Sequence, residues 1–192
     1  MTKILLLDCE TTGLHEKYNG VVQIAGIVKI NGIEKERFNL KCRPFSADNF
    51  EQAALDVTKN TLEEIMSWPD PKDTYNQFLA LLAKYVNKYS KNDKFFFCGY
   101  NAEFDMKFMR AWFTKNGDKY FGSWFWFPPI CAMQAAAIHT QAIRHSLPNF
   151  KLETVCKHFG IAFNKAEAHD AFYDIAKTEE LMKRLVAKSS AQ

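Results

Sequence analysis

The sequence has no apolar run that approaches the roughly 18 residues of a membrane-spanning helix. Its start, Met-Thr-Lys-Ile-Leu-Leu-Leu-Asp, also lacks the apolar core and the cleavage site of a signal peptide. Both absences argue against a membrane protein or a secreted one. We therefore predict a cytoplasmic protein with no membrane partner.

Cysteines are few, scattered and odd in number. None belongs to a Cys-x-x-Cys pair, and most lie inside apolar segments: Cys9, Cys42, Cys98, Cys131 and Cys156. This pattern argues against a disulfide framework and against a zinc site with thiolate ligands. It is typical of reduced core thiols in a cytoplasm.

The chain also has little excess of one sign of charge: its 25 lysines and arginines and 22 aspartates and glutamates give a net charge of only +3. That value is too small to indicate a nucleic-acid partner and does not oppose one. A chain of 192 residues with 47% apolar content suits one full core. No repeat, low-complexity segment or interdomain linker appears, so we predict one domain over residues 1–188 and a short tail, 189–192.

The stretch from Ile4 to Leu14, Ile-Leu-Leu-Leu-Asp-Cys-Glu-Thr-Thr-Gly-Leu, begins as a buried strand and ends in charge. Side chains alternate along a strand, so Asp8 and Glu10 should leave one face about 7 Å apart. Two carboxylates in one small space are tolerated when a proton or a hard cation lies between them. An isolated Asp-x-Glu would be only a solvated strand end.

Further strands are predicted at residues 21–30, 33–42 and 95–98, the first two joined in a hairpin by Asn31-Gly32. Apolar periodicity and capping signals predict helices at residues 61–66, 73–89, 101–115, 130–144, 151–159 and 170–188. The aromatic stretch 120–129 is too irregular for an assignment. It is either a loop that caps the core or a platform on which bases stack.

A second polar cluster opens the helix that follows the strand at 95–98. Asn101 and Asp105 are four residues apart and Phe104 is three from Asn101, so they share one side of its first turns. If that strand lies parallel to the first, Asp105 faces Asp8 and Glu10.

A third cluster opens the last helix. Five residues turn a helix by roughly 500°, so His169 and Asp174 could not point the same way if both were helical. We therefore place His169 in the entering loop, Asp170 at the N-cap and Asp174 one turn into the helix. Taken separately, such a His is usually solvated and such an Asp usually complements the helix dipole.

In this order the three clusters resemble the three motifs of the DEDDh branch of the DnaQ-like 3′–5′ exonucleases, in particular proofreading domains of the DNA polymerase III epsilon type. The resemblance covers roughly residues 3–186, and residues 151–161 resemble the helix before the third motif. The motifs are Asp8-x-Glu10-Thr-Thr-Gly, Asn101-x-x-Phe104-Asp105 and His169-x-Ala171-x-x-Asp174.

The resemblance implies a ribonuclease H-like α/β fold with a mixed five-stranded sheet flanked by helices. It also implies two divalent cations, Mg²⁺ or Mn²⁺, and release of 5′-mononucleotides from a free 3′ end. All-oxygen ligands suit such hard cations. The residues it implies as cation ligands are Asp8, Glu10, Asp105 and Asp174.

The remaining roles follow from the same resemblance. His169 would be the general base, for which a near-neutral pKa is suitable. Thr11 would contact the 3′ hydroxyl and Leu14 would wedge against the terminal base. Asn101 and Phe104 would line the nucleotide pocket.

Two positions depart from the pattern of many relatives. Tyr100 stands where they have His, and Ile130-Cys131-Ala132 stands where they have Asp-Thr. Neither position is a predicted cation ligand, so only fine substrate contacts are affected.

We predict a 3′–5′ exonuclease of single-stranded or frayed DNA, acting alone or with a polymerase in proofreading. The alternative is a 3′–5′ exoribonuclease of the ribonuclease T or oligoribonuclease kind. The family uses one site for both substrates, and only contacts to the 2′-OH and the shape of the channel would separate RNA from DNA. A non-catalytic nucleic-acid-binding module is the alternative of another class. Such a module would be expected to lose an acidic ligand or the His, and this chain keeps all five.

Overall fold

A central strand, β1 (Lys3–Thr11), organises the sheet in the computed structural model, which describes residues 1–58, 60–168 and 170–189, without the side chains of 58, 188 and 189. The other strands are β2 (Val21–Ile30), β3 (Ile33–Lys41), β4 (Phe95–Gly99) and β5 (Phe125–Cys131). Their order is β3-β2-β1-β4-β5. β1 is antiparallel to β2 and parallel to β4. The predicted mixed five-stranded sheet is confirmed.

Helices cover both faces of the sheet. They are α1 (Gln52–Thr58), α2 (Leu62–Met66), α3 (Pro71–Ala83), α4 (Ala102–Lys115), α5 (Ala132–Thr140), α6 (Leu152–His158) and α7 (Ala171–Ser189), with 3₁₀ turns at Phe121–Ser123 and Gln141–Ser146. In the described part of the chain, none of them is both long and apolar enough to cross a membrane.

The alternation of side chains along β1 divides the core. Leu5 and Leu7 point to one face, where they join an aromatic-rich cluster with residues of α3 and α4 such as Phe78 and Trp112. Leu6 points to the other face, where α7 covers it. Because β1 is buried on both faces, its predicted run of consecutive apolar residues is explained.

The predicted hairpin between β2 and β3 is present. Asn31 and Gly32 both adopt positive φ, at 51° and 80°. That backbone is what a two-residue hairpin turn requires and what Asn-Gly favours.

Helix α3 differs from its predicted span of residues 73–89. It begins earlier because the Asp70 side chain accepts a hydrogen bond from the Lys72 amide at 2.9 Å, with Pro71 in the first turn. It ends at Ala83, and the following carbonyl of Tyr85 accepts instead from the Lys3 side chain. A tertiary contact therefore replaces the last turn that periodicity had predicted.

The second half of the aromatic stretch 120–129 belongs to strand β5, so its interpretation as a loop is wrong in part. Phe121, Trp124 and Phe125 are buried in the core, as a capping segment would be. Phe125 begins edge strand β5, where Pro128 and Pro129 are tolerated. Strand pairing continues to Cys131, so the helix predicted from residue 130 begins at Ala132 and gives way to the 3₁₀ turn after Thr140.

The last two helices agree closely with prediction. Gly160 follows α6 with φ of 70°, the left-handed conformation expected after a helix. Asp170 caps α7, since its side chain accepts from the Tyr173 amide at 2.9 Å. Helix α7 continues through Ser189, and residues 190–192 lie outside the described part.

Candidate active site

Two strand ends and one helix start meet at the carboxyl end of β1. The parallel pairing of β1 with β4 ends at Leu6 and Cys98, so the next part of β1 has no strand neighbour on that side. The amide of Cys9 donates instead to Oδ1 of Asp105, at 3.1 Å. The side chain of Asp105 thus takes the position of a strand carbonyl, and α4 is held against β1 as the sequence predicted.

Gly99, between β4 and α4, makes this approach sterically feasible. A Cβ atom there would lie 2.9 Å from the carbonyl oxygen of Leu7 and 3.4 Å from Oδ2 of Asp105. The first distance is too short for any side chain. Only glycine lets the chain leave β4 and enter α4 this close to β1.

Asp8 and Glu10 lie on the face of β1 that α7 covers. Ala171 and Ile175 of α7 are buried against Leu6 of the same face. Asp174 lies between these two helix residues in the sequence, so the packing of α7 brings it towards the end of β1. The structure therefore brings all four predicted ligands to one place.

The carboxyls of Asp8 and Glu10 have raised pKa values because they are buried and lie near other carboxyls. Burial, followed by the charges of Asp105, Glu10 and Asp174, raises the pKa of Asp8 well above its ordinary value. Burial and then the charge of Asp174 raise the pKa of Glu10 to about 8. Each carboxyl thus resists ionising beside the others.

Asp105 is subject to opposing influences. Burial raises its pKa to about 7, while hydrogen bonds from the backbone amides of Cys9 and Asp105 itself lower it. This carboxyl is 4% exposed. It is the member of the cluster whose orientation the backbone fixes.

The donor set fits hard divalent cations. Over residues 1–58, 60–168 and 170–189, no three His, Cys, Asp or Glu side chains form a ready-made cage for an ion. Burial and then repulsion between carboxyls nevertheless raise the pKa values of Asp8 and Glu10, and a bound cation would relieve that repulsion. Burial also raises the pKa of the Cys9 thiol well above its ordinary value, so this neighbour offers no thiolate for a softer metal.

A pocket of about 370 Å³ opens beside Glu10. Leu14 and Phe104 line it, and so does Thr11, whose hydroxyl donates to the carbonyl of Gly13 at 2.7 Å. Leu14 is 70% exposed, so most of its side chain is open to contact by a ligand. Together these side chains form an apolar recess of nucleotide size next to the carboxylates.

Sequence reasoning missed one wall of this pocket. The pocket is also lined by residues of α1 and the residue before it: Glu51, Ala53, Ala54 and Val57. The Glu51 amide donates to the carbonyl of Thr12 at 2.8 Å, which fixes this wall to the end of β1. No local pattern marks these residues, because a short helix carries little periodicity.

Two predicted site residues stand apart. Asn101 is exposed at the N-terminus of α4 and does not line this pocket. His169 lies outside the described residues. The contacts proposed for both residues therefore stay predictions.

The two departures from the family pattern contact each other. The carbonyl of Tyr100 accepts from the Cys131 thiol at 3.1 Å and from the Met133 amide at 2.9 Å. The Tyr100 hydroxyl donates to the carbonyl of Phe150 at 2.7 Å. The carbonyl and the hydroxyl of Tyr100 thus connect the residue after β4 to the start of α5 and to the segment before α6.

Comparison with known proteins now decides the family. A sequence profile described as Exonuclease (RNase_T) matches residues 5–182, almost the whole chain. The chain belongs to the exonuclease family. This membership confirms the predicted relation to the DnaQ-like enzymes and the predicted 3′–5′ exonuclease activity.

Relatives of this exonuclease include both ribonucleases and a polymerase. It is 27% identical to ribonuclease T of Hahella chejuensis over 188 residues, which are 95% of this chain and 82% of the relative. It is 26% identical to the PolC-type DNA polymerase III of Halalkalibacterium halodurans over 185 residues. That match covers 96% of this chain and 11% of the polymerase.

Solved structures similar to this exonuclease share its fold. Escherichia coli exonuclease I in complex with a dT13 oligonucleotide matches with a TM-score of 0.76 and 22% identity, covering 97% of this chain and 41% of that one. The zinc-ion-bound form of its complex with single-stranded DNA matches with a TM-score of 0.77 and 22% identity over 100% of this chain and 42% of that one. This exonuclease thus spans about two-fifths of exonuclease I, and the ribonuclease H-like fold is confirmed.

Proposed function

We propose that the protein is a metal-dependent exonuclease that removes 5′-mononucleotides from the 3′ end of single-stranded or frayed DNA. The observation that carries this proposal is the group of buried carboxyls at the end of β1, directly beside an apolar pocket of nucleotide size. Hydrolysis at a chain end needs both parts, because the terminal nucleotide must be held where its phosphate meets the cations.

The predicted site residues would have two roles, cation binding and proton transfer. Asp8, Glu10, Asp105 and Asp174 would hold two Mg²⁺ or Mn²⁺ ions. When bound, such ions supply Lewis-acid stabilisation of the phosphate and of the leaving 3′ oxygen. His169 would accept a proton from the attacking water.

Binding of the terminal nucleotide would fall to the pocket. Leu14 and Phe104 present apolar surface to the base, and Thr11 retains hydroxyl lone pairs that can accept from the 3′ hydroxyl. Asn101 would contact the nucleotide at the start of α4. The pocket would position the phosphate over the carboxylates without reading the base.

RNA is the second candidate substrate. It is favoured by the match to ribonuclease T, which spans 82% of that relative. DNA is favoured by the shape shared with exonuclease I, whose solved complexes contain dT13 and dA16 oligonucleotides. We place DNA first, and a direct comparison of sugars tests the choice.

The experiment uses single strands of DNA and RNA of one sequence, labelled at the 3′ or the 5′ end, with Mg²⁺, Mn²⁺ or chelator. We expect metal-dependent release of labelled mononucleotide from the 3′ end and faster digestion of DNA. Asp8→Ala should abolish cleavage while the circular dichroism spectrum is unchanged. Cleavage that persists in this variant would refute the metal site, and faster digestion of RNA would reverse the order of substrates.

Three broader proposals accompany this function. Residues 1–188 would form one catalytic domain, since one sheet organises all described elements and the family match spans residues 5–182. The five cysteines are free and buried, which supports a reducing cytoplasm. A polymerase partner is supported by the PolC-type relative, in which the matching region is a small part of the chain.

A further inference from the structure

A basic groove runs along the outer face of α4. It has a volume of about 500 Å³ and lies between that helix and the loop after β1. Its charged lining consists of Lys17, Lys107, Arg110 and Lys115, with Glu16 as the one carboxylate. Neither the proposed chemistry nor the nucleotide pocket uses these side chains.

Three of the four cations differ from the fourth in their acidic partners. Lys115 forms an ion pair with Asp48. Among the residues that the structure describes, Lys17, Lys107 and Arg110 have no carboxylate within the 4.0 Å of an ion pair. The groove therefore carries an excess of positive charge that the fold itself does not neutralise.

The groove and the nucleotide pocket share two elements, the loop after β1 and helix α4. Leu14 lines the pocket and Lys17 lines the groove on one loop, while Phe104 and Lys107 do the same on α4. From Phe104 to Thr114 the helix extends about 15 Å at 1.5 Å per residue. The groove thus continues from the pocket along the loop residues after Leu14 and the helix turns after Phe104.

The loop that forms the outer wall is held in place. The Lys115 side chain donates to the carbonyl of Asn19, at 2.7 Å, as well as to Asp48. The Thr12 hydroxyl donates to the carbonyl of Asn49 at 2.5 Å and accepts from the Gly20 amide at 2.8 Å. A wall fixed at both ends means that the groove exists before any ligand binds.

We propose that this groove binds the phosphate backbone of the single strand on the 5′ side of the nucleotide being removed. The inference rests on the proposed function. A strand whose last base contacts Leu14 and Phe104 continues into the space beyond Leu14, where lysine and arginine side chains meet its phosphates. Contacts of this kind are independent of sequence, depend on salt and suit an enzyme that shortens any strand.

The test compares two charge reversals of exposed lysines. Lys107→Glu changes the groove, whereas Lys35→Glu changes the net charge equally on the distant edge strand β3. Affinities for 5′-labelled oligothymidylates of about 12 and about 3 nucleotides are measured by fluorescence anisotropy in chelator, at several salt concentrations. Hydrolysis of thymidine 5′-(p-nitrophenyl phosphate) with Mn²⁺ reports on the catalytic site separately.

For Lys107→Glu we expect the Kd of the longer strand to rise about five- to tenfold. The slope of log K against log salt should fall by about 0.7, the value for one lost contact to a single strand. The shorter strand and the nucleotide ester should change less than twofold, as should all readouts for Lys35→Glu. Arg110→Glu should behave like Lys107→Glu.

Equal weakening by Lys107→Glu and Lys35→Glu would overturn the proposal, because it would show an effect of net charge alone. Unchanged affinity of Lys107→Glu for the longer strand would overturn it as well. In both cases the wild type would still hydrolyse the ester and the strand, so the proposed function would stand. A wild type that hydrolyses neither substrate would overturn the function and the groove together.

Discussion

The carboxyl cluster predicts that Glu10→Gln stabilises the metal-free protein at alkaline pH while it removes activity. The pKa of Glu10 is raised from 4.5 to about 8. A carboxyl whose pKa is raised by folding favours the folded state fully below its unfolded value, and this contribution is lost as the pH rises through the folded value. The loss therefore occurs between about pH 4.5 and pH 8.

The magnitude follows from the shift in pKa. At about 1.4 kcal/mol per pKa unit, ionised Glu10 opposes folding by at most about 5 kcal/mol. Asp8, Asp105 and Asp174 share this repulsion, so removal of one charge should recover about 2 kcal/mol. For a chain of this size that corresponds to a rise in Tm of about 4–8 °C.

The assay is thermal unfolding in chelator at pH 5 and pH 8.5, with Glu63→Gln as the control at an exposed carboxylate. Glu10→Gln should melt above the wild type at pH 8.5 and by a smaller margin at pH 5, while Glu63→Gln should follow the wild type at both. Addition of Mg²⁺ at pH 8.5 should raise the Tm of the wild type more than that of Glu10→Gln. A variant no more stable than the wild type at pH 8.5 would refute the reasoning.

Three further predictions address the base, the pocket and the core. His169→Ala should lower kcat by about 10²–10⁴-fold with little change in KM and should flatten the rise of the rate near neutral pH; an unaltered pH–rate profile would mean another base. Leu14→Ala should raise KM for oligonucleotides but alter stability by less than about 0.5 kcal/mol, since Leu14 is 70% exposed; steady-state kinetics with a parallel melting curve decide this. Phe78→Ala, at a fully buried ring, should cost about 3–5 kcal/mol in a urea titration, and a smaller cost would indicate that the cluster collapses around it.

Elements with strong local signals could be predicted from the sequence. The apolar run of β1, the Asn-Gly hairpin and the cap of α7 each depend on neighbouring residues alone, and the structure agrees with all three. The meeting of Asp105 with β1 was predicted on the condition that two strands be parallel, and they are. The approach of Asp105 to the end of β1 was therefore accessible to sequence reasoning.

Features that depend on distant partners were not predictable in this way. Helix α3 ends at Ala83, and the carbonyl of Tyr85 beyond it accepts a hydrogen bond from the side chain of Lys3, 82 residues away in the sequence. Strand β5 contains Pro128 and Pro129 and is stabilised by its partner β4. The wall formed by Glu51 and α1 exists because a loop carbonyl accepts the Glu51 amide. In each case tertiary contacts override a weak local preference.

The position of β1 in the sheet has a consequence for how the site opens. This strand pairs with β2 along its whole length and with β4 over residues 4–6, so its amides should exchange with solvent only when the whole molecule unfolds. Helix α1, which contributes residues to the lining of the pocket, is seven residues long and exposes Val57, so it belongs to the part that opens at low cost. The carboxylates of β1 thus lie on the part of the fold that opens least often, while the nucleotide enters and leaves past a helix that opens more readily.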